Sequence, residues 1–263
     1  HLVHEALRQV LGNHVKQMGS LVSEEYLRFD FPHFSKVEAQ QIKAIEDIVN
    51  SKIQDNLHVE TIKDISIEEA NKIPNVKKIF GEKYGSKVRV VKMDEKFSVE
   101  FCGGTHVDNT NDIGLFKIIK EESISSGVRR IFAKTGEGIM DLMDENILKI
   151  ESVISELPEK YANNFLLAID EIRKGIHNAD YKDVTFMKLL LEHQNNTIKS
   201  LYNLREKYIE EKKQNEKKLL KQNLQQLFDK IETIINKSPV HNGSKIVAIK
   251  FDVNNSDEFK EIG

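Results

Sequence analysis

The sequence predicts an α+β fold, in which a mixed, mostly antiparallel sheet with helices is followed by a long-helix region. Three observations carry this prediction. Over residues 1–138, β-rich runs come in adjacent pairs such as "KVRVVKM" and "KFSVEFC", and helical stripes separate the pairs. Residues 139–237 hold one proline and one glycine among leucines and isoleucines at helical spacing. Turn and strand signals return after Pro239.

The N-terminal segment is predicted as a helix, two strands and a second helix. The apolar residues of "HLVHEALRQVLGNHV" lie on one helical stripe, which ends near Gly12. The next segment, "QMGSLVSEEYLRFDFPHF", alternates turn and strand signals. A second helix over about 35–56 is expected to begin at Ser35, with Glu38 three residues on completing a capping box.

The remaining elements of the first half are predicted as a strand, a short helix and two hairpins. "LHVETIKDI" indicates the strand, and "SIEEANKI" a short helix with the same Ser-to-Glu start. The first hairpin pairs "KVRVVKM" with "KFSVEFC" around "DEK". The second pairs "LFKIIKEESI" with "VRRIFAKTG".

Residues 198–235 predict a long helix, as half of a helical hairpin or of a coiled coil. Residues 199–237 carry ten Lys and Arg against six Asp and Glu, a local net charge of +4. A solvated helix face is our main interpretation of this charge, and a nucleic-acid surface is the alternative. Further on, Lys245–Val253 predicts a strand that opens a small α/β domain, truncated at residue 263.

Composition argues against several classes of protein. A net charge of −3 excludes a uniformly basic nucleic-acid binder. No apolar run approaches the roughly 20 residues that cross a bilayer, and the first residues lack the pattern of a secretory signal. One cysteine cannot form an intramolecular disulfide, which suits a reducing compartment. We therefore expect a cytoplasmic protein that does not enter a membrane, with an organellar location as the alternative.

The single cysteine lies in "EFCGGTHVD", residues 100–108. Cys102 and His106 can face one point if Gly103 and Gly104 form the turn, since glycine tolerates positive φ. Thiolate and imidazole are preferred zinc ligands, but one pair is a weak signal. The alternative is a buried, reduced cysteine beside a hydrogen-bonded histidine. Further imidazole donors available to a metal are His1, His4, His14 and His33.

Three segments, in this order, strongly resemble the editing domain of alanyl-tRNA synthetases. They are "HLVHEALRQVLGNHVKQMGSLVSEEYLRFDF", "FCGGTHV" and "SGVRRIFAKTGEG". The resemblance implies an editing domain over residues 1–140. The later segments are similar to the family only in order and character. They imply a helical linker over 141–238 and the truncated start of a C-terminal domain over 239–263.

The resemblance also implies a zinc site. Its ligands in the family are two helix histidines together with the Cys and His of the CGGTH loop. In this sequence they correspond to His1, Cys102 and His106, and the fourth ligand is expected four residues upstream of His1. His4 corresponds to a histidine that is not a ligand in the family. The role of zinc stays open among activating water, positioning the substrate amine and structuring the pocket.

The family's editing domain hydrolyses the ester that joins a wrongly attached serine or glycine to tRNA for alanine. The resemblance therefore implies tRNA(Ala), mischarged with Ser or Gly, as the partner of this chain. ATP belongs to the aminoacylation core, which the sequence does not contain. The intact protein is expected to form a homo-oligomer through its C-terminal region.

Roles for individual residues follow from the same resemblance. Gln17, the expected catalytic residue, lies in the editing pocket, where its amide can orient substrate or water. Three residues of the CGGTH loop are expected to contact the terminal adenosine or the aminoacyl group: Gly103, Gly104 and Thr105.

Two arginines in the last predicted strand are expected to bind tRNA phosphate. These are Arg129 and Arg130, whose guanidinium groups match phosphate geometry. Because neighbouring residues of a strand point to opposite faces, an ion pair within the sheet is the alternative for at least one of them. Asp30 is expected to be a structural acceptor.

Two other functions share these features. One is a free-standing editing protein that acts in trans, which the long helical region makes the weaker choice. The other is a noncatalytic tRNA-binding or oligomerisation module with an inert metal site, which predicts tRNA binding without deacylation. A zinc metalloprotease is disfavoured because "HLVHE" lacks the His-Glu-x-x-His order.

Overall fold

The computed structural model describes residues 1–78, 85–240 and 242, and it confirms the α+β class. The chain divides into two compact units, His1–Ile198 and Lys199–Gly263. The helices are α1 (Leu2–Leu11), α2 (Ala39–Gln54), α3 (Ile67–Ala70), α4 (Glu137–Ile154), α5 (Glu159–Asn178) and α6 (Val184–Lys237). The strands are β1 (Gly19–Val22), β2 (Leu27–Pro32), β3 (Glu60–Ser66), β4 (Lys87–Asp94), β5 (Ser98–Phe101), β6 (Phe116–Ser125) and β7 (Val128–Thr135).

The described strands form two antiparallel sheets, in line with the predicted mostly antiparallel pairing. The larger has the order β1-β2-β7-β6, and the smaller has the order β3-β4-β5. Both predicted hairpins are confirmed as β4–β5 and β6–β7, and the first strand pair is confirmed as β1–β2. β3 begins at Glu60, three residues later than the first residue of the predicted strand.

The start of α2 differs from the prediction. Ser35 does not cap the helix, because the helix begins only after Glu38, which is extended, while Val37 is buried and its amide donates to Glu121 on β6. Glu38 is the N-cap instead, and it forms a capping box with Gln41. Ser35 bonds to a ring nitrogen of a neighbouring histidine. The Ser-to-Glu start predicted for α3 is confirmed, since the Ser66 hydroxyl accepts from the Glu69 amide.

Two buried polar side chains of α2 bind the outer edge of β6. Asn50 Nδ2 donates to the Phe116 carbonyl at 2.9 Å, and its Oδ1 accepts from the Phe116 amide at 2.8 Å. One turn earlier, Glu46 accepts from the Ile118 amide at 2.9 Å. The side chains of α2 thus satisfy backbone groups of β6 that, at the edge of the sheet, have no neighbouring strand to pair with.

Truncating Asn50 is expected to destabilise the fold. Asn50→Ala leaves the Phe116 amide and carbonyl buried without a partner, so we expect the free energy of unfolding in urea to fall by about 2–4 kcal/mol. Gln40→Ala, at an exposed position of the same helix, is the matched control and is expected to change it by less than about 0.5 kcal/mol. Equal effects of the two changes would show that water replaces the amide.

Residues 139–237 are mainly helical, as predicted, and the breaks between their helices follow the sequence signals. The single proline of this region, Pro158, is the N-cap of α5. α6 begins at Val184, well before the predicted start at 198, because Asp183 caps it by accepting from the Phe186 amide. None of the described helices has the length and apolar character that crossing a bilayer requires.

Gly114 lies in close contact with Gly136 and with the loop before α6. Gly114 has φ +68° and ψ −167°, a conformation that side chains strongly disfavour. A Cβ atom there would lie 2.7 Å from the Tyr181 carbonyl oxygen and 2.9 Å from the Cα of Gly136. The close approach of these three backbone segments therefore requires glycine at position 114.

Some predictions lie outside the described residues. The predicted strand Lys245–Val253 and nearly all of the segment 239–263 fall there. The boundary between 140 and 141 stays a prediction.

Candidate metal centre

Three donor side chains from distant parts of the sequence converge at the N-terminal end of α1. They are His1, which precedes the helix, Cys102, which directly follows β5, and His106 in the loop beyond. Their ligand atoms all lie within 4.8 Å of one another. His1 Nε2 is 3.1 Å from His106 Nε2, and the two rings stack with centroids 5.1 Å apart.

The pairing of β4 with β5 sets the position of Cys102. The Cys102 amide donates to the Arg89 carbonyl at 3.1 Å, and Arg89 Nε donates back to the Cys102 carbonyl at 2.9 Å. Arg89 Nη2 also lies 3.3 Å from His106 Nδ1, so a single arginine contacts both Cys102 and His106. The Gly104 amide donates to Cys102 Sγ at 3.4 Å, directing the sulfur toward the histidines.

The glycines of the loop do not act as predicted. Gly103 and Gly104 are not among the residues with positive φ, so the turn needs no left-handed conformation. In the structure both glycines are exposed, and their lack of a side chain leaves space around the loop. A Cβ atom at Gly103 would meet no other atom within 4 Å, and Thr105 beside them is exposed as well. The loop is therefore open on the side away from the sulfur.

A buried carboxylate lies behind the donor cluster. Glu100 is 2% exposed and its Oε2 lies 2.7 Å from His1 Nδ1. His4, one turn along α1, places Nδ1 3.3 Å from the other carboxylate oxygen. His4 is thus engaged with Glu100 and does not belong to the group of three donors.

The pKa values of these groups indicate which are charged in the metal-free protein. Hydrogen bonds from His1 and His106 lower the pKa of Cys102 to about 5, so its thiolate predominates at neutral pH. Burial would lower the pKa of His1, but its hydrogen bonds to Cys102 and Glu100 outweigh that and raise it to about 10. Burial likewise opposes ionisation of Glu100, but the bonds from His1 and His4 lower its pKa to about 2.

The spacing and chemistry of the donors suit zinc. A tetrahedral site with zinc–nitrogen bonds of about 2.0–2.1 Å has its ligand atoms about 3.3 Å apart, close to the separation of the two Nε2 atoms. Three protein ligands with one open position form a common catalytic arrangement. The open position can be filled by water or by a donor upstream of His1.

Other residues considered in the sequence lie apart from this cluster. Gln17 is half-buried and donates to the Ser20 hydroxyl at 3.1 Å, and none of the described hydrogen bonds joins it to the three donors. His14 and His33 form a separate exposed pair, with ring nitrogens 3.0 Å apart. Of the histidine and cysteine candidates, the structure thus brings together His1, Cys102 and His106. His14 and His33 form a separate pair.

Both candidate phosphate-binding arginines make ion pairs within the larger sheet. Arg130 forms a two-pronged pair with Asp30, with both nitrogen–oxygen distances at 2.7 Å. Arg129 pairs with Glu121 on the adjacent strand. The prediction that Asp30 is a structural acceptor is confirmed. Since a paired guanidinium keeps free donors, a role for either arginine in phosphate binding stays a prediction.

Sequence reasoning missed two residues of the site, Glu100 and Arg89. Glu100 left a weak signal: all four residues of β5 are buried, and a carboxylate in such a strand needs a partner. Arg89 left none, because an arginine in an alternating strand reads as a solvent-facing residue.

A family model and several relatives match this chain. The model, described as the threonyl and alanyl tRNA synthetase second additional domain, matches residues 88–132. That range runs from the start of β4 into β7 and contains both Cys102 and His106. His1, the N-cap of α1, lies outside the matched range.

The relatives are alanine–tRNA ligases. The protein of Cytophaga hutchinsonii is 41% identical over 201 residues, which is 76% of this chain and 22% of the ligase. That of Shewanella amazonensis is 52% identical over 157 residues, 60% of this chain and 18% of the ligase. That of Pseudomonas entomophila is 56% identical over 136 residues, 52% of this chain and 15% of the ligase. The chain thus spans about a fifth of the length of these relatives, and these matches support its recognition as similar to a fragment of the alanyl-tRNA synthetases.

Proposed function

We propose that this chain carries the hydrolytic editing site of an alanyl-tRNA synthetase, which removes serine or glycine from mischarged tRNA(Ala). One observation carries the proposal: the second additional domain match contains Cys102 and His106, and the fold brings His1 to them from outside the match. A donor cluster assembled from separate elements is an arrangement that catalytic sites use.

The ion that fits the cluster is Zn²⁺, held by His1, Cys102 and His106. When bound, it would supply a Lewis acid for the carbonyl, the amine or a water molecule of the reaction. His106 binds through Nε2 only if Nδ1 keeps its proton, and Arg89 presents a donor to Nδ1. The contact between Arg89 and His106 is therefore expected to break when the metal enters.

The protein's own residues provide access and orientation. The exposed loop of Gly103, Gly104 and Thr105 lies beside the sulfur and leaves space for the end of a tRNA. Its backbone amides and the Thr105 hydroxyl can hydrogen-bond to ribose or to the aminoacyl group. Gln17 is proposed to orient substrate or water from β1's side of the site.

Selection against serine and glycine is the chemical reason for a second site. A pocket built for alanine cannot exclude the smaller glycine, and an added hydroxyl is hard to reject by binding alone. A hydrolytic site that hydrogen-bonds the serine hydroxyl separates serine from alanine more strongly, because alanine leaves such polar groups unpaired.

The proposal predicts selective deacylation. With added Zn²⁺, the full chain is expected to release labelled serine from tRNA(Ala) at least about 100-fold faster than labelled alanine from the same tRNA. Filter assays of the remaining aminoacyl-tRNA measure both rates, and glycine is tested in parallel. The alanyl ester is the matched control because it differs only in the hydroxyl group.

Two outcomes would contradict this function. Equal rates for seryl and alanyl esters would exclude an editing role. Binding of tRNA without hydrolysis of any ester, with zinc bound, would favour the noncatalytic module. The oligomeric state and the cytoplasmic location stay predictions.

A further inference from the structure

We propose that Glu100 is a positioning residue for the metal site: it holds the His1 ring so that Nε2 faces the metal. This inference rests on the proposed zinc site, and it adds a residue outside the three donors. Carboxylates that accept from the second ring nitrogen of a metal-bound histidine orient the ring and raise the basicity of the ligand.

Contact geometry supports this role. Glu100 Oε2 lies 2.7 Å from His1 Nδ1, while the other nitrogen of the same ring lies 3.1 Å from His106 Nε2. The two ring nitrogens of His1 therefore face opposite ways, one toward the carboxylate and one toward the donor cluster. The side chains of His1 and Glu100 are 12% and 3% exposed, so water does not readily replace this bond.

Donor chemistry makes the assignment specific. A carboxylate can only accept, so the proton of a neutral His1 must be on Nδ1. Nε2 then carries the lone pair, which is what a metal ligand needs. Glu100 thus selects the binding tautomer as well as the ring orientation.

Glu100 is itself held on two sides. Its backbone lies in β5, paired with Val91 of β4, which fixes the origin of the side chain. His4 Nδ1 hydrogen-bonds to the same oxygen, Oε2, at 3.4 Å and lies 3.3 Å from Oε1, and its own ring packs 5.7 Å from that of Phe29. His1, at the N-cap of α1, and His4, one turn later, therefore both contact one carboxylate, and the helix fixes the position of His1.

The other histidine lacks such an arrangement. His106 Nδ1 faces the guanidinium of Arg89, a donor that cannot accept a proton. Among the described contacts of the two ligand histidines, only that of His1 has the polarity that metal binding requires. Preorganisation of the site is therefore expected to depend on Glu100.

Zinc affinity tests the inference without reference to activity. We expect Glu100→Ala to raise the zinc dissociation constant about 10- to 100-fold in competition with a chromophoric chelator. Glu100→Gln keeps an oxygen that accepts from Nδ1, and is expected to lose less than about 10-fold. The matched control is Glu121→Ala, since Glu121 is a carboxylate of similar burial, 4% exposed, that pairs with Arg129 on the larger sheet.

A second measurement needs no variant. In the zinc-bound full chain, long-range proton–nitrogen NMR correlations of the His1 ring are expected to show the proton on Nδ1. A proton on Nε2 would overturn the inference even if Glu100→Ala failed to fold.

The outcomes separate this inference from the proposed function. Zinc binding that depends on Cys102 but is equally strong in Glu100→Ala, Glu100→Gln and Glu121→Ala would overturn the positioning role alone. Absence of zinc binding by the unmodified chain would overturn both the zinc site and the positioning role. Zinc affinity that is lost in Glu100→Ala and largely restored in Glu100→Gln would support the positioning role of Glu100.

Discussion

Cys102→Ala is expected to abolish measurable editing and to weaken zinc binding about 100- to 1,000-fold. Structural zinc sites bind with about 10–16 kcal/mol over four ligands, so one thiolate accounts for about 2.5–4 kcal/mol. Cys102 is only partly buried, so its replacement leaves the core of the fold intact. Chelator competition gives the affinity, and deacylation of seryl-tRNA(Ala) gives the activity.

Cys102→Ser serves as the intermediate variant, because its oxygen is a weaker zinc ligand of similar size. We expect its affinity to lie between those of the unmodified chain and of Cys102→Ala, with similar thermal midpoints for all three metal-free proteins. Unchanged deacylation in Cys102→Ala would show that the thiolate and the metal are both dispensable. Cys102 would then be a reduced cysteine beside a hydrogen-bonded histidine without a metal role, which is the alternative that the sequence left open.

Gly114→Ala is expected to lower the free energy of unfolding by about 4 kcal/mol. A side chain at φ +68° and ψ −167° costs about 1–3 kcal/mol. Its Cβ would also lie 2.7 Å from the Tyr181 carbonyl oxygen, and forcing that backbone apart costs about 1–3 kcal/mol more. Urea unfolding followed by circular dichroism measures the loss.

Gly138→Ala is the matched control for this substitution. Gly138 lies in the first turn of α4, and the nearest atoms to its Cβ position, on Lys134, are 3.9 Å away. Because alanine favours helix over glycine, this change is expected to raise stability by up to about 1 kcal/mol. Similar losses in the two variants would mean that position 114 tolerates a side chain.

The elements of the fold that depend on local pattern were predictable. Hairpins such as β4–β5 follow from alternating residues around a short turn, and α1 ends at Gly12, whose φ is +118°. The start of α2 was not predictable, because Ser35 and Glu38 match the Ser-to-Glu capping pattern, whereas the actual N-cap, Glu38, is not a residue type that this pattern favours. The choice was made by Val37, whose burial against the sheet is a tertiary contact.

The residues of the site likewise divide into those that the sequence predicted and those that only the structure revealed. Cys102 and His106 are four residues apart, and their chemistry can be read from the chain. His1 was assigned from the resemblance to a family, and the fold then placed it beside the other two. Glu100 and its bonds to the α1 histidines could not be found from spacing, because they join residues nearly a hundred positions apart.

That separation also dictates a temporal order. His1 meets Glu100 across 99 positions and His106 across 105. At roughly 5–20 residues per second on the ribosome, His1 emerges about 5–20 s before Glu100. A ten-residue helix is marginal on its own in water, so until β5 is made α1 depends on packing against α2. The three donors can therefore come together only after β5 and the loop that contains His106 have been synthesised. Nascent chains that stop before β5 cannot bind the proposed metal through these donors.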